Sequence, residues 1–205
     1  MNHKIASKLA LALMASASIA FANVPSELIT LDDLGYPTLA PISDGYAGLD
    51  WNNMYVISGS YYSSYFPGSS LQNAIVSPPN AGFNGYGAPA GFSSGSTFDL
   101  DSAYLTAAYL PDVVDVQGWD GATLEYNNLY TISPTAPTFI NFDYDGITSV
   151  DFSDTVLGYP IAWDNISING GAVPQGGATV PDCGTTSMML GGALMGLGLL
   201  RKKLC

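Results

Sequence analysis

Residues 138–144 read Thr-Phe-Ile-Asn-Phe-Asp-Tyr, a stretch in which apolar and polar side chains alternate. Ile140, Phe142 and Tyr144 share one face of an extended chain, and the polar residues between them share the other face with Phe139. A period of two residues is typical of a half-buried β-strand. The stretch therefore predicts a sheet with one face against a hydrophobic core.

Further strands are predicted on both sides of this stretch, because short apolar or alternating runs are separated by clusters of Gly, Pro, Asn, Asp and Ser. The other candidates are Glu27–Leu34, Asn53–Ser58, Ala74–Ser77, Thr97–Tyr109, Val113–Trp119, Thr123–Ser133, Thr148–Ser153 and Ile161–Asn169. Eight or nine strands predict an all-β fold, a two-sheet β-sandwich of the jelly-roll type over residues 23–170.

The charges of the chain are unevenly distributed. All 17 acidic residues lie between Asn23 and Asp182, and this stretch contains no Lys, Arg, His or Cys. Nucleic acid is excluded as an expected partner, because its phosphates are bound through basic side chains. Imidazole, thiolate and lysine chemistry are excluded with it, which leaves Asp, Glu, Tyr, Ser and Thr as candidate catalytic groups.

The first 22 residues have the pattern of a signal peptide. Lys4 and Lys8 precede an apolar run over residues 9–21, and Ala20 and Ala22 flank Phe21 as a small-x-small cleavage site. We expect a signal helix over residues 1–22 that signal peptidase removes. The alternative of an amphipathic or buried helix requires a polar face, which this run does not supply.

The far end of the chain combines a short motif, an apolar run and a basic cluster. The motif is Val180-Pro181-Asp182-Cys183-Gly184, the Gly-rich apolar run covers residues 188–200, and Arg201-Lys202-Lys203 follow. A helix over residues 183–200 would span about 27 Å, which is sufficient for the core of a thin bilayer. The basic cluster would then be held on the cytoplasmic side of the membrane. We expect residues 171–179 to be a Gly-rich linker and residues 180–205 a sorting signal with a membrane segment.

This tail resembles the PEP-CTERM class of sorting signals, in particular its Val-Pro-Asp-Ser-Gly variant, although Cys183 stands where that variant has Ser. The resemblance implies processing by an exosortase-type enzyme. It also implies an exported protein of the cell envelope or surface that is transiently anchored in the inner membrane. An ordinary single-pass anchor that is not cleaved is the alternative, and it gives the same topology.

The region before the tail resembles a β-sandwich domain often found in front of PEP-CTERM tails, similar in outline to carbohydrate-binding jelly rolls. The residues that carry this resemblance are Leu31–Leu34, Gly48–Trp51, Ala81–Gly87, Phe98–Leu105 and Trp163–Ile166. The resemblance implies a fold and an extracellular setting. It brings no catalytic residues with it.

Two carboxylates are predicted on apolar strand faces. Asp164 alternates with Ile166 and Ile168, and Asp33 alternates with Leu31 in the first strand. No Lys, Arg or His lies between Asn23 and Asp182 to pair with these carboxylates. Their charge can be compensated by calcium, by backbone N–H donors, by protonation or by solvent at an exposed strand end. Calcium at Asp164 with Asp33 or Asp32 is one hypothesis, and solvated Asp residues that cap turns are the other.

The densest aromatic run is Tyr61-Tyr62-Ser63-Ser64-Tyr65-Phe66-Pro67, which its Ser, Gly and Pro neighbours place in a loop. With Trp51, Tyr55 and Tyr86 it is a candidate platform for stacking a sugar ring. The alternative is that these rings cover the edge of the sandwich.

These patterns together predict an exported, surface-sorted, non-catalytic protein, a component of the envelope or extracellular matrix with a polysaccharide as candidate partner. The alternative is a carbohydrate-active enzyme, which requires two carboxylates about 5 to 9.5 Å apart. Only Glu27 and Glu125 are glutamates, and no motif pairs either one with a second carboxylate.

Overall fold

The computed structural model describes residues 24–35, 39–65, 70–155 and 158–172, without the side chains of Ser63 and Tyr65. These residues confirm the all-β fold, with strands β1 (Glu27–Ile29), β2 (Ala40–Pro41), β3 (Asp50–Asn52), β4 (Met54–Ser58), β5 (Asn80–Asn84), β6 (Ala90–Ala107), β7 (Asp112–Asp120), β8 (Thr123–Ile132), β9 (Thr138–Asp154) and β10 (Ile161–Ile168). One α-helix, α1 (Gly59–Tyr65), and short 3-10 helices at Asp32–Leu34, Tyr46–Gly48, Ser70–Ala74 and Gly85–Gly87 complete the described elements.

The strands form one continuous antiparallel network rather than two separate sheets. Its order is β2-β4-β5-β10-β6-β9-β7-β8, with β1 paired to β10 and β3 paired to β6. The first and last strands lie side by side, as expected for a jelly roll, with Ile29 opposite Ile166.

The long strand β9 shows how one network makes a two-layer sandwich. Phe142 and Phe152 are ten positions apart, which would separate them by about 33 Å in a straight strand. Their ring centroids are 6.1 Å apart, so β9 folds back on itself and its two halves face each other. Asp143 and Gly146, which lie between Phe142 and Phe152 in the sequence, have positive φ. What the sequence predicted as two strands, 138–144 and 148–153, is therefore one bent strand.

The main core lies between the two layers. Its largest fully buried side chains include Trp163, Phe92 and Phe152, and the rings of Phe152 and Trp163 meet edge to face at 5.3 Å. The alternation predicted for 138–144 is confirmed, since Ile140, Phe142 and Tyr144 are buried and the polar residues between them are exposed.

Strand β10 is buried along its whole length because both of its faces are covered. Trp163 and Ile166 face the main core, while Ala162 belongs to a second, smaller core with Phe83 and Tyr62. Ile57, Leu71 and Ala74 also belong to this second core. Part of the outer surface of strands β4, β5 and β10 is therefore covered by α1 and by the 3-10 helix Ser70–Ala74.

Several segments differ from the prediction. Ala74–Ser77 is the end of a 3-10 helix and a loop instead of a strand, and β2, β3 and β5 were not predicted. Strand β1 ends five residues before the predicted Leu34, and β6 begins seven residues before the predicted Thr97. The predicted signal peptide and sorting tail lie outside the described residues. Within the described ranges, no helix is long and apolar enough to cross a membrane.

Candidate functional site, an aromatic cleft

The candidate site is built on the outer face of β4 and β5. Met54 and Val56 of β4 point into the main core, so Tyr55 between them points outward. Tyr55 pairs with Phe83 of β5, and their ring centroids are 5.7 Å apart. This register places two aromatic rings side by side on the outer face.

Tyr86 lies beside these rings in the 3-10 turn that follows β5. Its side chain is 96% exposed, and its backbone has a φ of 57°. Left-handed backbone costs free energy for a residue with a Cβ, and such residues cluster at functional sites. A tyrosine held in this conformation and presented to solvent is the strongest sign of a binding role on this surface.

Two asparagines hold the turn of Tyr86 through backbone groups. The Asn53 amide donates hydrogen bonds of 3.1 to 3.2 Å to the carbonyls of Gly85, Ala88 and Pro89. Asn84 donates to Ala88 O at 2.8 Å and accepts from Ile161 N at 2.6 Å. None of these bonds involves the Tyr86 side chain, so we expect the turn to keep its shape when that side chain is removed.

The glycines on either side of Tyr86 are required by close contacts. A Cβ on Gly85 would lie 2.5 Å from Asn53 Oδ1, and a Cβ on Gly87 would lie 1.9 Å from Gly158 O. Gly87 also has a φ of 68°. The Gly-Tyr-Gly sequence is therefore the form in which this turn can dock against the sheet and still present a ring.

Two adjacent clefts open between these side chains, and we call them together the aromatic cleft. One, of about 180 Å³, is lined by Leu39, Tyr55, Phe83, Gly85 and Tyr86. The other, of about 110 Å³, is lined by Leu39, Tyr62, Leu71, Phe83, Tyr109 and Pro160. The two share Leu39 and Phe83, and none of their lining residues is charged.

The structure brings together some of the predicted ligand-binding residues and separates others. Tyr86 and Tyr55 line the aromatic cleft. Trp51 is 8% exposed, packs on Phe92 in the main core at 5.1 Å, and lies outside the cleft. Tyr62 is 2% exposed and contributes only a buried wall. Tyr61 is half-buried and lines neither cleft, and the side chain of Tyr65 lies outside the described residues.

The loop predicted over Tyr61–Tyr65 was wrong, since this run is the last part of helix α1. Ser58 precedes the helix, and its hydroxyl accepts a hydrogen bond from Tyr61 N at 3.3 Å. A serine at this position satisfies a backbone N–H that the first turn leaves without a helical partner. The helix buries Tyr62 against Phe83, with ring centroids 6.2 Å apart.

Asp164 is buried, as predicted, and backbone donors surround its carboxylate. Oδ2 accepts from Val76 N at 2.6 Å and Ser77 N at 2.9 Å, and Oδ1 accepts from Asn165 N at 2.7 Å. The pKa of Asp164 is raised to about 7, because the effect of burial exceeds that of these N–H groups, which lower it. The nearby Asp32 carboxylate raises it as well. The segment after the 3-10 helix Ser70–Ala74 is thus tied to β10.

The two other predicted calcium ligands have different surroundings. Asp32 Oδ1 accepts a hydrogen bond from Asn80 N at 3.0 Å. Asp33 was predicted on an apolar face but is exposed, because β1 ends at Ile29 and the chain turns at Leu31, which has a φ of 63°. Its carboxylate accepts from Tyr46 Oη at 2.7 Å. In the described part of the chain, no three Asp, Glu, His or Cys side chains are grouped to hold a metal ion.

The calcium site stays a prediction, with a direct test. A metal at about 100 times its dissociation constant that binds only the folded state adds about 2.7 kcal/mol to the free energy of unfolding. We expect calcium to raise the melting temperature more than magnesium does at matched ionic strength. We expect Asp164→Asn to remove this difference. Equal shifts with the two metals would leave screening of the acidic surface as the explanation.

Asp112 and Asp154 are neighbouring carboxyl groups. Asp112 of β7 is buried, and Val114, two residues further along β7, pairs with Asp154 of β9. Burial raises the pKa of Asp112, and the neighbouring Asp154 raises it further. Neither carboxyl group lines the aromatic cleft. This pair therefore does not supply the two carboxylates that a carbohydrate-active enzyme would require at that surface.

Comparison with known proteins gives one motif and several distant structures. A model of the VPDSG-CTERM motif matches residues 179–204, which lie outside the described residues. No curated protein matches the chain.

The solved structures similar to this chain include the tandem CBM22-1-CBM22-2 domain of Xyn10C from Paenibacillus barcinonensis, with 12% identity, a TM-score of 0.41, and coverage of 78% of this chain and 50% of that one. The CBM22-1 xylan-binding domain of the same protein has 11% identity, a TM-score of 0.40, and coverage of 77% and 100%. A family 16 carbohydrate-binding module has 15% identity, a TM-score of 0.34, and coverage of 58% and 89%. Likeness at this level leaves the ligand of this chain to be argued from its own residues.

Proposed function

We propose that this chain is an exported, surface-sorted, non-catalytic protein that binds an uncharged polysaccharide in its aromatic cleft. The VPDSG-CTERM motif at residues 179–204 indicates an exported, envelope-associated protein. Signal peptidase and an exosortase-type enzyme process the chain in this proposed function, and its tail is transiently anchored in the inner membrane. The protein then lies in the envelope or the extracellular matrix, where polysaccharides are available as ligands.

The observation that carries the proposed ligand is the placement of Tyr86. An exposed ring at positive φ, beside the outward rings of Tyr55 and Phe83, offers apolar surface that a pyranose ring can cover. The hydroxyl groups of Tyr55 and Tyr86 supply polar ends of the kind that sugar hydroxyls require. The aromatic cleft therefore combines stacking surface with hydrogen-bonding capacity.

The charge of the domain restricts the class of polysaccharide. Of the 17 acidic residues, all but Asp182 lie within residues 24–172, and this range contains no Lys, Arg or His. An acidic polysaccharide would be repelled by this surface and would find no cation to pair with its carboxylates or sulfates. An uncharged glycan meets neither obstacle.

We expect Tyr86→Ala to weaken binding to uncharged polysaccharides by about tenfold or more, because an aromatic ring at the centre of a binding surface commonly contributes about 2 kcal/mol. Retardation in native gels that contain the polysaccharide measures this loss. The matched control is Phe139→Ala, which removes an exposed ring from β9, outside the aromatic cleft.

Two outcomes would contradict the proposal. Equal retardation of Tyr86→Ala and the unaltered chain would show that Tyr86 is not part of the binding site. An equal loss of binding in Tyr86→Ala and Phe139→Ala would show a nonspecific effect of removing an aromatic ring. Release of new reducing ends from the same polysaccharides would favour the enzyme over the binding protein.

A further inference from the structure

The two ends of the strand order expose very different edges. At one end, β2 has only two residues, and one of them is Pro41, which has no backbone N–H to donate. At the other end, β8 runs for ten residues, and among the described strands it pairs only with β7. Half of the backbone polar groups of β8 therefore point away from the sheet, where no other described strand pairs with them.

Strand β8 has few of the features that usually block an exposed edge. Its register against β7 shifts by one residue at Glu125, and from Tyr126 to Ile132 the pairing is regular. It contains no Pro, Lys or Arg, and its one charged residue is Glu125. Leu129 on this strand is 66% exposed, and Leu124 is exposed as well. Natural proteins protect long edges with charges, prolines or coverage, because an unprotected edge pairs with other strands.

The strand is held firmly against the core from its inner face. Tyr126 stacks on Tyr144, with ring centroids 4.4 Å apart and an angle of 8° between the planes. Tyr130 meets Phe142 edge to face at 5.3 Å. These contacts keep β8 extended, so the edge is presented as a rigid template.

Charge restricts where two copies of this chain can meet. The described residues carry many carboxylates and no Lys, Arg or His, so two copies repel each other over most of their surface. Strand β8 has one carboxylate in ten residues, which makes it a place where two copies can approach closely. Its unpaired backbone groups supply attraction there, since each copy offers the donors and acceptors that the other requires.

We propose that β8 pairs antiparallel with β8 of a second copy and makes a two-fold symmetric dimer with a sheet continuous across the axis. Two-fold pairing is self-complementary, since every contact occurs twice. With the axis at Asn127, Glu125 lies opposite the partner's Leu129, and with the axis at Asn128 it lies opposite the partner's Thr131. Either register keeps the two Glu125 carboxylates apart.

A cysteine scan of the full chain tests the proposal. Cys183 and Cys205 are replaced by serine, and one cysteine is introduced in turn at each residue from 125 to 130. Only the residue on the two-fold axis lies opposite itself, with a Cα separation of about 4.5 to 5.5 Å, which a disulfide accepts. We expect disulfide-linked dimer on non-reducing gels to peak at one position, several-fold above Gln72→Cys, an exposed control away from the edge.

A charge substitution gives a second measurement in chains that keep their fold. Leu129→Asp places a new carboxylate on each copy at the edge, and we expect it to reduce the dimer several-fold in sedimentation of the detergent-solubilised full chain. Leu110→Asp, at a leucine that is 53% exposed between β6 and β7, leaves the dimer unchanged. A monomer at every concentration, crosslinking equal at all positions, or equal effects of the two aspartates would overturn the proposal.

Discussion

The domain is expected to lose stability as the pH rises from about 4 to about 7, and Asp164 is expected to account for a distinct part of that loss. The carboxyl group is fully buried on β10. Burial raises its pKa to about 7, against the opposing effect of the backbone N–H groups that it accepts from. An aspartate in an unfolded chain has a pKa of about 3.9.

The direction of this pH dependence is set by how many protons the folded and the unfolded chain bind. Between about pH 4 and pH 7 the unfolded chain has released this proton while the folded chain retains it, so each rise in pH favours unfolding. The stabilisation is complete below the unfolded pKa of about 4 and is lost as the pH rises through about 7. At about 1.4 kcal/mol per pH unit, the contribution of Asp164 is at most about 4 kcal/mol.

Two variants separate Asp164 from the remaining carboxyl groups. Asp164→Asn removes the titrating group, so its free energy of unfolding should vary less with pH than that of the unaltered chain. Asp32→Asn removes the nearby charge that raises the pKa of Asp164, so the pH at which stability falls should move down. Urea unfolding followed by tryptophan fluorescence between pH 4 and pH 8 measures both effects.

Repulsion among the other carboxylates also grows with pH, and burial raises the pKa of Asp112 and Asp151 as well. The prediction therefore concerns the difference between Asp164→Asn and the unaltered chain. If the two curves run parallel from pH 4 to pH 8, Asp164 is ionised throughout this range and its N–H donors outweigh its burial.

Asp164 also shows how far sequence reasoning reaches. Its alternation with Ile166 and Ile168 predicts a buried carboxylate, and the structure confirms this burial. Two of its donors are the N–H groups of Val76 and Ser77, 88 and 87 positions away along the chain. Since no periodicity links residues at that separation, the sequence left calcium, backbone donors and protonation open as alternatives.

Among the strands too, those with local sequence signals were predicted and those that depend on distant partners were not. Strands β7, β8 and β10 were predicted within two residues because their turns and alternation are local signals. Strand β5, of sequence Asn-Ala-Gly-Phe-Asn, was missed because four of its five residues are of types depleted in strands. It forms because β4 and β10 pair with it on both sides.

The candidate site was only partly visible in the sequence. The aromatic residues Tyr55 and Tyr86 were selected as candidates for stacking. Trp51 was placed with them because exposed and buried aromatic residues look alike in a sequence, and the structure buries it against Phe92. The sign that distinguishes Tyr86 is its conformation between two glycines, which becomes informative only when the close contacts of Gly87 are known.

Gly87→Ala is expected to be the most damaging small substitution in the candidate site. A Cβ at this position would lie 1.9 Å from Gly158 O, a backbone atom that cannot rotate away, and the φ of 68° is itself unfavourable for alanine. Left-handed backbone costs about 1 to 2 kcal/mol, and forced overpacking adds about 1 to 3 kcal/mol. We therefore expect a loss of about 2 to 5 kcal/mol in the free energy of unfolding.

Gly121→Ala is the matched control, because Gly121 has a similar φ of 58° but open space where a Cβ would lie. We expect it to lose about 1 to 2 kcal/mol and to bind polysaccharide as well as the unaltered chain. Gly87→Ala should lose binding although Tyr86 is still present, because the turn can no longer dock beside Gly158 and the ring is displaced from Tyr55 and Phe83. Urea unfolding and gel retardation measure the two effects, and a Gly87→Ala variant that matches Gly121→Ala in both would show that the close approach of this turn to Gly158 does not position Tyr86.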